Sequence, residues 1–171
     1  MNFTRTTEAT SYVKIDMEDG GSMVAFLDDN AAPKTCANFR ELVGKGFYNG
    51  LIFHRVIPGF VIQGGDPLGN GTGGSEKKIV GEFIQNGFKN DLAHTKGVLS
   101  MARTSDPNSA TSQFFICLGD VPYLDGQYAA FGKLVEGEET LDKIASVQTL
   151  FYNDKPIVPQ KMKEVYFVTE K

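Results

Sequence analysis

The stretch Phe53-His54-Arg55-Val56-Ile57-Pro58-Gly59-Phe60-Val61-Ile62-Gln63-Gly64-Gly65-Asp66 decides how this chain is read. Two short apolar runs, 52–57 and 60–63, flank Pro58-Gly59, which is a turn signal. One arginine and one glutamine sit inside the otherwise apolar runs. Further strands are predicted outward from this pair. Residues 12–17 alternate, with Val13, Ile15 and Met17 on one side and Tyr12, Lys14 and Asp16 on the other, as in a half-buried strand. Glu18-Asp19-Gly20-Gly21 is a turn, and 23–27 is the return strand. Runs at 98–101, 113–118, 129–134 and 162–169 complete the set. Many short strands with Gly/Pro turns predict an all-β domain. The pattern alone does not choose between a barrel and a sandwich.

Two helices interrupt the strands. Ala32, Cys36, Phe39 and Val43 form one stripe at helical spacing. Pro33 suits the first turn, Asp28, Asp29 and Asn30 offer capping oxygens, and Gly44 and Gly46 end the helix. A second helix is expected over 138–147. Its buried stripe is Leu141, Ile144 and Ala145, and Glu138 and Glu139 lie near its positive end.

The 171 residues predict a single domain over 1–171, with residues 1–10 as a flexible extension. Hydrophobic residues make up 41% and charged residues 22%, ordinary values for a globular protein. With 17 basic and 21 acidic residues the net charge is −4, and no Lys/Arg run occurs, so a general nucleic-acid or membrane-surface binder is not expected. The N-terminus carries no apolar run of the secretory type, and nothing approaches the ~20 apolar residues of a membrane span. Cytoplasm is the expected location, and the Asn2 and Asn70 sequons then carry no meaning. Cys36 and Cys117 are expected to be buried free thiols.

Two later blocks stand in order after the first. One is Gly97-Val98-Leu99-Ser100-Met101-Ala102-Arg103 with Ser112-Gln113-Phe114-Phe115-Ile116. The other is Tyr123-Leu124-Asp125-Gly126-Gln127-Tyr128-Ala129-Ala130-Phe131-Gly132-Lys133. Together the blocks resemble the cyclophilins, the cyclosporin-binding class of peptidyl-prolyl cis/trans isomerases, from about Tyr12 to the C-terminus. The run Met101-Ala102-Arg103-Thr104 resembles the bacterial branch. The resemblance implies a closed eight-stranded antiparallel β-barrel capped by two α-helices. It also implies an enzyme that assists protein folding, acting on proline-containing peptides and client proteins.

Prolyl isomerisation breaks no covalent bond. The obstacle is amide resonance, with a barrier of ~18–20 kcal/mol. A catalyst of this reaction needs an apolar pocket for the ring, anchors for the flanking backbone and a donor for the prolyl nitrogen. It needs no cofactor, metal or nucleophile. Such contacts must be stronger in the twisted state than in either ground state. The resemblance makes Arg55 that donor, a permanently charged and planar group, and makes Phe60 and Gln63 its catalytic companions. It places Val61, Phe115, Leu124 and Tyr128 around the ring, and Ala102, Arg103 and Gln113 along the peptide. Tyr123 joins them at a position that contacts cyclosporin. Gln113 and Phe115 are two apart on one strand and share a face, whereas Phe114, Ile116 and Leu118 share the other. Phe60 and Val61 are adjacent, so strand alternation would separate them, and only the resemblance puts both in the site.

The chain departs from the pattern of many eukaryotic members at Tyr123 (Trp), Tyr128 (His), Arg103 (Asn) and Val61 (Met). Loss of the indole donor at Tyr123 predicts weak cyclosporin binding with isomerase activity kept. The charge of Arg103 suggests a preference for acidic peptides. Nothing in the pattern demands an oligomer, so a monomer is expected. A binding module that has lost catalysis, and a small-ligand barrel with an open interior, are the rival readings. Gly69-Asn70-Gly71-Thr72-Gly73-Gly74 satisfies G-x-G-x-x-G but lacks a preceding strand and following helix, and it is read as a flexible rim loop. His54 and His94 have no zinc spacing. His54 is expected to be packed and hydrogen-bonded. No serine sits in a hydrolase frame, and nothing pairs Asp66 with Glu82.

Overall fold

Val13, Ile15 and Met17 are buried, and the intervening Tyr12, Lys14 and Asp16 are half-buried. That is how a strand with one face on a core must look. The computed structural model describes residues 2–171, and the alternation recurs along much of it. The strands are β1 (Phe3–Arg5), β2 (Tyr12–Met17), β3 (Ser22–Leu27), β4 (Phe53–Ile57), β5 (Val61–Gly64), β6 (Val98–Met101), β7 (Phe114–Cys117), β8 (Ala130–Glu136) and β9 (Met162–Glu170). The helices are α1 (Pro33–Gly44) and α2 (Glu138–Ala145). All neighbouring strands pair antiparallel in the order β1-β9-β2-β3-β8-β6-β7-β5-β4.

The expected all-β architecture with two helices is present. β1 and β4 end the hydrogen-bonded order, and the two margins approach through a few bonds rather than a continuous ladder. Ile52 bridges Lys161. Phe53 N–H donates to the Gln160 carbonyl at 2.9 Å, and Met162 N–H donates to that of Leu51 at 2.8 Å.

Strand β1 corrects the expectation of a flexible extension over residues 1–10, of which Met1 lies outside the described residues. Phe3–Arg5 pairs with Val168–Glu170 and covers an edge of β9 that would otherwise be unpaired. The Phe3 ring packs on Tyr12 at 5.1 Å, Tyr12 packs on Phe26 at 5.5 Å, and the Arg5 guanidinium lies 4.2 Å over the Tyr166 ring.

On α1, Cys36, Phe39 and Val43 are buried, as the stripe requires. Its capping differs from expectation. Asp28 accepts the N–H groups of Asn30 and Ala31 in the preceding turn, and Asp29 pairs with Arg40 at 2.7 Å. The helix start is instead held by a distant carboxylate. Glu82 accepts the Thr35 N–H at 2.6 Å, the Thr35 hydroxyl at 2.7 Å and the Lys34 N–H at 3.2 Å. This leaves few of the helix's orphan donors unmet. On α2, Leu141 and Ile144 are buried, and Glu138 and Glu139 occupy the first turn.

The interior is filled. Phe39 contacts Tyr48, Phe114 and Phe131 at 5.0–5.4 Å, and Phe53 meets Phe114 at 6.1 Å. Tyr48 donates its hydroxyl to the Ser112 carbonyl at 2.8 Å, which satisfies its one polar tip, and burial pushes its phenol up. A barrel with an open lumen is therefore set aside. Cys36 and Cys117 are buried free thiols, each pushed up to about 12 mainly by burial.

A second apolar cluster lies on the outer face. Val61, Val98, Phe115, Cys117, Leu124 and Ala130 are buried there, with Phe60, Ala102 and Tyr128 packed against them. The central strands are thus apolar on both faces.

Candidate active site

Gly59, with φ of 75°, lets the chain reverse between β4 and β5. Phe60 N–H closes the turn on the Ile57 carbonyl at 3.0 Å. Phe60 is therefore a turn residue just before β5, and strand alternation does not govern it. This is why Phe60 and Val61 line the same hollow although they are neighbours in sequence.

The hollow measures about 210 Å³ and is lined by Arg55, Phe60, Val61, Gln63, Ala102, Arg103, Phe115, Leu124 and Tyr128. β4 supplies Arg55, β5 supplies Val61 and Gln63, and β7 supplies Phe115. Gln63 pairs in register with Arg55 on one side and Phe115 on the other. Ala102 follows β6, where its N–H donates to the Gln113 carbonyl at 3.0 Å. Phe115 forms the floor, with Tyr128 edge-on to it at 5.8 Å.

The polar groups form a directed relay. Arg55 Nη1 donates to Gln63 Oε1 at 3.3 Å, and Gln63 Nε2 donates to Gln113 Oε1 at 3.0 Å. Gln113 Nε2 in turn donates to the carbonyls of Gly71 and Gly73 at 3.0 and 2.8 Å. The relay holds a planar cation beside an apolar floor, an arrangement that can present N–H groups to a ligand without a nucleophile.

Gln113 does not line this hollow. It lines an adjoining one of about 290 Å³ that shares Gln63, Ala102 and Arg103. Tyr123 does not line either. It is exposed at the rim in a short 3₁₀ turn (Pro122–Leu124) and stacks on Phe60 at 6.0 Å. Arg103 donates Nε and Nη2 to the Gln127 carbonyl at 3.1 and 2.7 Å, and Nη1 to that of Thr104 at 2.9 Å. Its guanidinium lies 4.7 Å from the Tyr128 ring and 4.9 Å from that of Phe83. The charge braces the pocket wall, which weakens the case for its selecting acidic peptides.

A larger hollow of about 510 Å³ lies beside α2, lined in part by Lys96, Lys133, Glu136, Glu138 and Glu139. Opposite charges pair there, with Lys96 3.0 Å from Glu138 and 2.9 Å from Asp142, and none of the expected site residues reaches it.

The family model for cyclophilin type peptidyl-prolyl cis-trans isomerases matches residues 12–167. The chain belongs to this family. The peptidyl-prolyl cis-trans isomerase ppi1 of Schizosaccharomyces pombe is 46% identical over 143 residues, covering 83% of this chain and 90% of the relative. Peptidyl-prolyl cis-trans isomerase A of Dickeya dadantii is 46% identical over 154 residues, covering 84% and 79%. A fungal and a bacterial relative thus match at the same identity. The crystal structure of a Cryptosporidium parvum cyclophilin in the presence of the dipeptide Ala-Pro superposes with a TM-score of 0.84 at 36% identity, covering 93% of this chain and 99% of that one. The protein is therefore a peptidyl-prolyl isomerase by family.

The isomerase has a supporting layer that sequence reasoning missed. The His94 ring stacks under Phe115 at 6.0 Å. Its Nδ1 lies 2.8 Å from Asp125 Oδ1, and its Nε2 lies 2.8 Å from Ser100 Oγ. Burial holds the imidazole below its ordinary value, against the opposing pull of Asp125. It is neutral at pH 7, with Nδ1–H donating to the carboxylate and the Ser100 hydroxyl donating to Nε2. Asp125 is distant in sequence and joins His94 only through the fold. Alternation along β6 was the one available hint for Ser100.

Two other expectations need correction, the flexible loop at 67–75 and the hydrogen-bonded His54. The loop at 67–75 is organised rather than flexible: Asp66 accepts the N–H groups of Leu68, Asn70 and Gly71 at 2.8, 3.2 and 2.7 Å. Glu82 caps α1, so these two carboxylates have separate structural tasks. His54 is buried but its Nδ1 has no hydrogen-bond partner among the described residues, and burial lowers its pKa.

Proposed function

We propose that this isomerase seats the proline of an X-Pro segment on Phe115, within the wall formed by Phe60, Val61, Leu124 and Tyr128. Gln63, Ala102, Arg103 and Gln113 hold the flanking chain, with Tyr123 at the rim. Arg55 donates to the prolyl nitrogen as amide resonance is lost, stabilising the lone pair that appears in the twisted state. The observation that carries this reading is Arg55 held by Gln63 at the edge of a hollow lined by the expected residues, with Phe115 as its apolar floor. Because no covalent bond breaks, the chemistry requires no cofactor or metal. The Ala-Pro dipeptide of the Cryptosporidium structure supports proline-containing peptides and unfolded client segments as substrates.

Assistance to folding in the cytoplasm, a single domain over the whole chain, a monomeric state and weak cyclosporin binding belong to the same reading, with no nucleic acid or membrane as partner. No helix among the described residues is long and apolar enough to cross a membrane. The bonds joining 51–53 with 160–162 support closure of eight strands into a barrel, with β1 as an added strand.

The test is cis/trans exchange of an X-Pro model peptide, measured by NMR with the wild type and with Arg55→Ala. The expected result is a loss of at least about tenfold in kcat/KM, ~1.4 kcal/mol of transition-state stabilisation. A folded variant with full turnover would remove Arg55 from the mechanism.

A further inference from the structure

The segment between α2 and β9 displays apolar side chains for which the pocket has no use. Phe151 is 96% exposed and Tyr152 69%, and Ile157 and Val158 follow at 57% and 67%. Exposed apolar residues scattered singly are ordinary, whereas a group of them marks an interaction site. The segment is an ordered turn. Thr149 bridges Pro156, Leu150 N–H donates to the Lys155 carbonyl at 2.8 Å, and Asp154 N–H donates back to that of Leu150 at 3.0 Å. The Phe151 and Tyr152 rings meet edge to face at 5.4 Å, so they pack on each other at the tip.

Its position relates it to the pocket. Val56 N–H donates to the Asp154 carbonyl at 2.8 Å, and Phe53 N–H to that of Gln160 at 2.9 Å. Residues 154–160 therefore run along the outer edge of β4. Crossing the sheet, Phe115, Gln63 and Arg55 come from β7, β5 and β4 in turn, and this segment follows next. Strands are spaced ~4.8 Å apart, so the segment lies roughly one strand beyond the one carrying Arg55.

We propose that Phe151, Tyr152, Ile157 and Val158 form a second docking surface, on the segment that borders the strand of Arg55, that receives apolar side chains of a client polypeptide a few residues from its proline. The inference rests on the pocket being at Arg55. Asp154 and Lys155 carry opposite charges within the turn, and no basic cluster accompanies the rings as an anionic membrane would require. A partly folded chain exposes both an X-Pro bond and apolar side chains, and it fits the two surfaces at once.

The experiment uses two blocked peptides with the same Ala-Pro core, one short and one extended on both sides by about six residues that include leucine and phenylalanine. The full chain is compared with the double variant Phe151→Ser, Tyr152→Ser. The variant is expected to turn over the short peptide within about twofold of the wild type. On the extended peptide its KM rises about five- to tenfold with kcat kept. In isotope-labelled wild type, the extended peptide alone shifts the amide resonances of residues 150–154. An unchanged KM for the extended peptide overturns the proposal. An equal loss on both peptides also overturns it, because the turn then acts on the fold. Self-association of the wild type, or its sedimentation with phosphatidylcholine–phosphatidylserine vesicles, lost in the variant while extended-peptide kinetics are unchanged, assigns the surface to a second copy or a lipid and overturns it too. Failure of the underlying pocket assignment reads differently, as full short-peptide turnover by Arg55→Ala.

Discussion

Arg55 is placed by a chain of amides rather than by an acidic partner: Gln63 accepts from it, and Gln113 fixes Gln63. In the proposed mechanism a carboxylate there would offset the charge offered to the twisted amide, whereas an amide oxygen orients the guanidinium without compensating its charge. Tyr123 belongs to this scale as well. It stacks on Phe60 at the rim and does not line the hollow. Restoring an indole by Tyr123→Trp is expected to tighten cyclosporin binding by about tenfold, close to the ~1.4 kcal/mol of one added hydrogen bond. Isomerisation of a short peptide should be unchanged. Titration calorimetry of both proteins checks this, and equal affinities would show that the rim residue does not control the ligand.

β7 carries its two jobs by alternation. Phe114 and Ile116 fill the interior, while Phe115 floors the pocket on the other face. That division was legible in the sequence, because the period of a strand is two. The start of α1 was not. Three local acceptors precede it, yet the acceptor used is Glu82, from a loop that also reaches the site. The next residue, Phe83, faces the Arg103 guanidinium, and the Glu82 carbonyl accepts from Asn90 at 2.9 Å. Glu82→Gln keeps the shape but removes the charge from two backbone bonds and one hydroxyl bond. It is expected to cost about 2 kcal/mol, the range for hydrogen bonds to a charged group. Urea unfolding measures it, and a change below about 0.5 kcal/mol would mean that the carboxylate is not what holds the helix start.

For the molecule as a unit, the pocket is the outer cluster of a sheet whose inner face is the main core, so site and stability share one scaffold. His94 links them from beneath Phe115. Its pKa is lowered in the folded state, as is that of His54. The unfolded chain therefore takes up the proton first as pH falls. The stability from the neutral rings is complete above about pH 6.5, the ordinary histidine value, and is lost as pH falls from there through the folded-state values. Urea midpoints are expected to drop between about pH 7.5 and pH 5.5, with a smaller drop in His94→Gln. The same drop in that variant would exclude His94 as a contributor.

Alternation, turn pairs and helical stripes determined the strands, the two helices and the identity of the core, because each depends on a period read within a few residues. The ordered blocks determined the family and named the lining of the pocket. Tertiary structure decided the rest. Strand β1 exists only because β9 offers an edge to it. Phe60 enters the pocket only because the turn at Gly59 frees it from strand alternation. Glu82 reaches α1, Asp125 reaches His94, and the aromatic turn at Phe151 comes to lie beside the strand of Arg55. Apart from the local turn at Gly59, each of these contacts joins residues far apart in the chain, and the chain order carries no record of which distant groups folding will bring within reach.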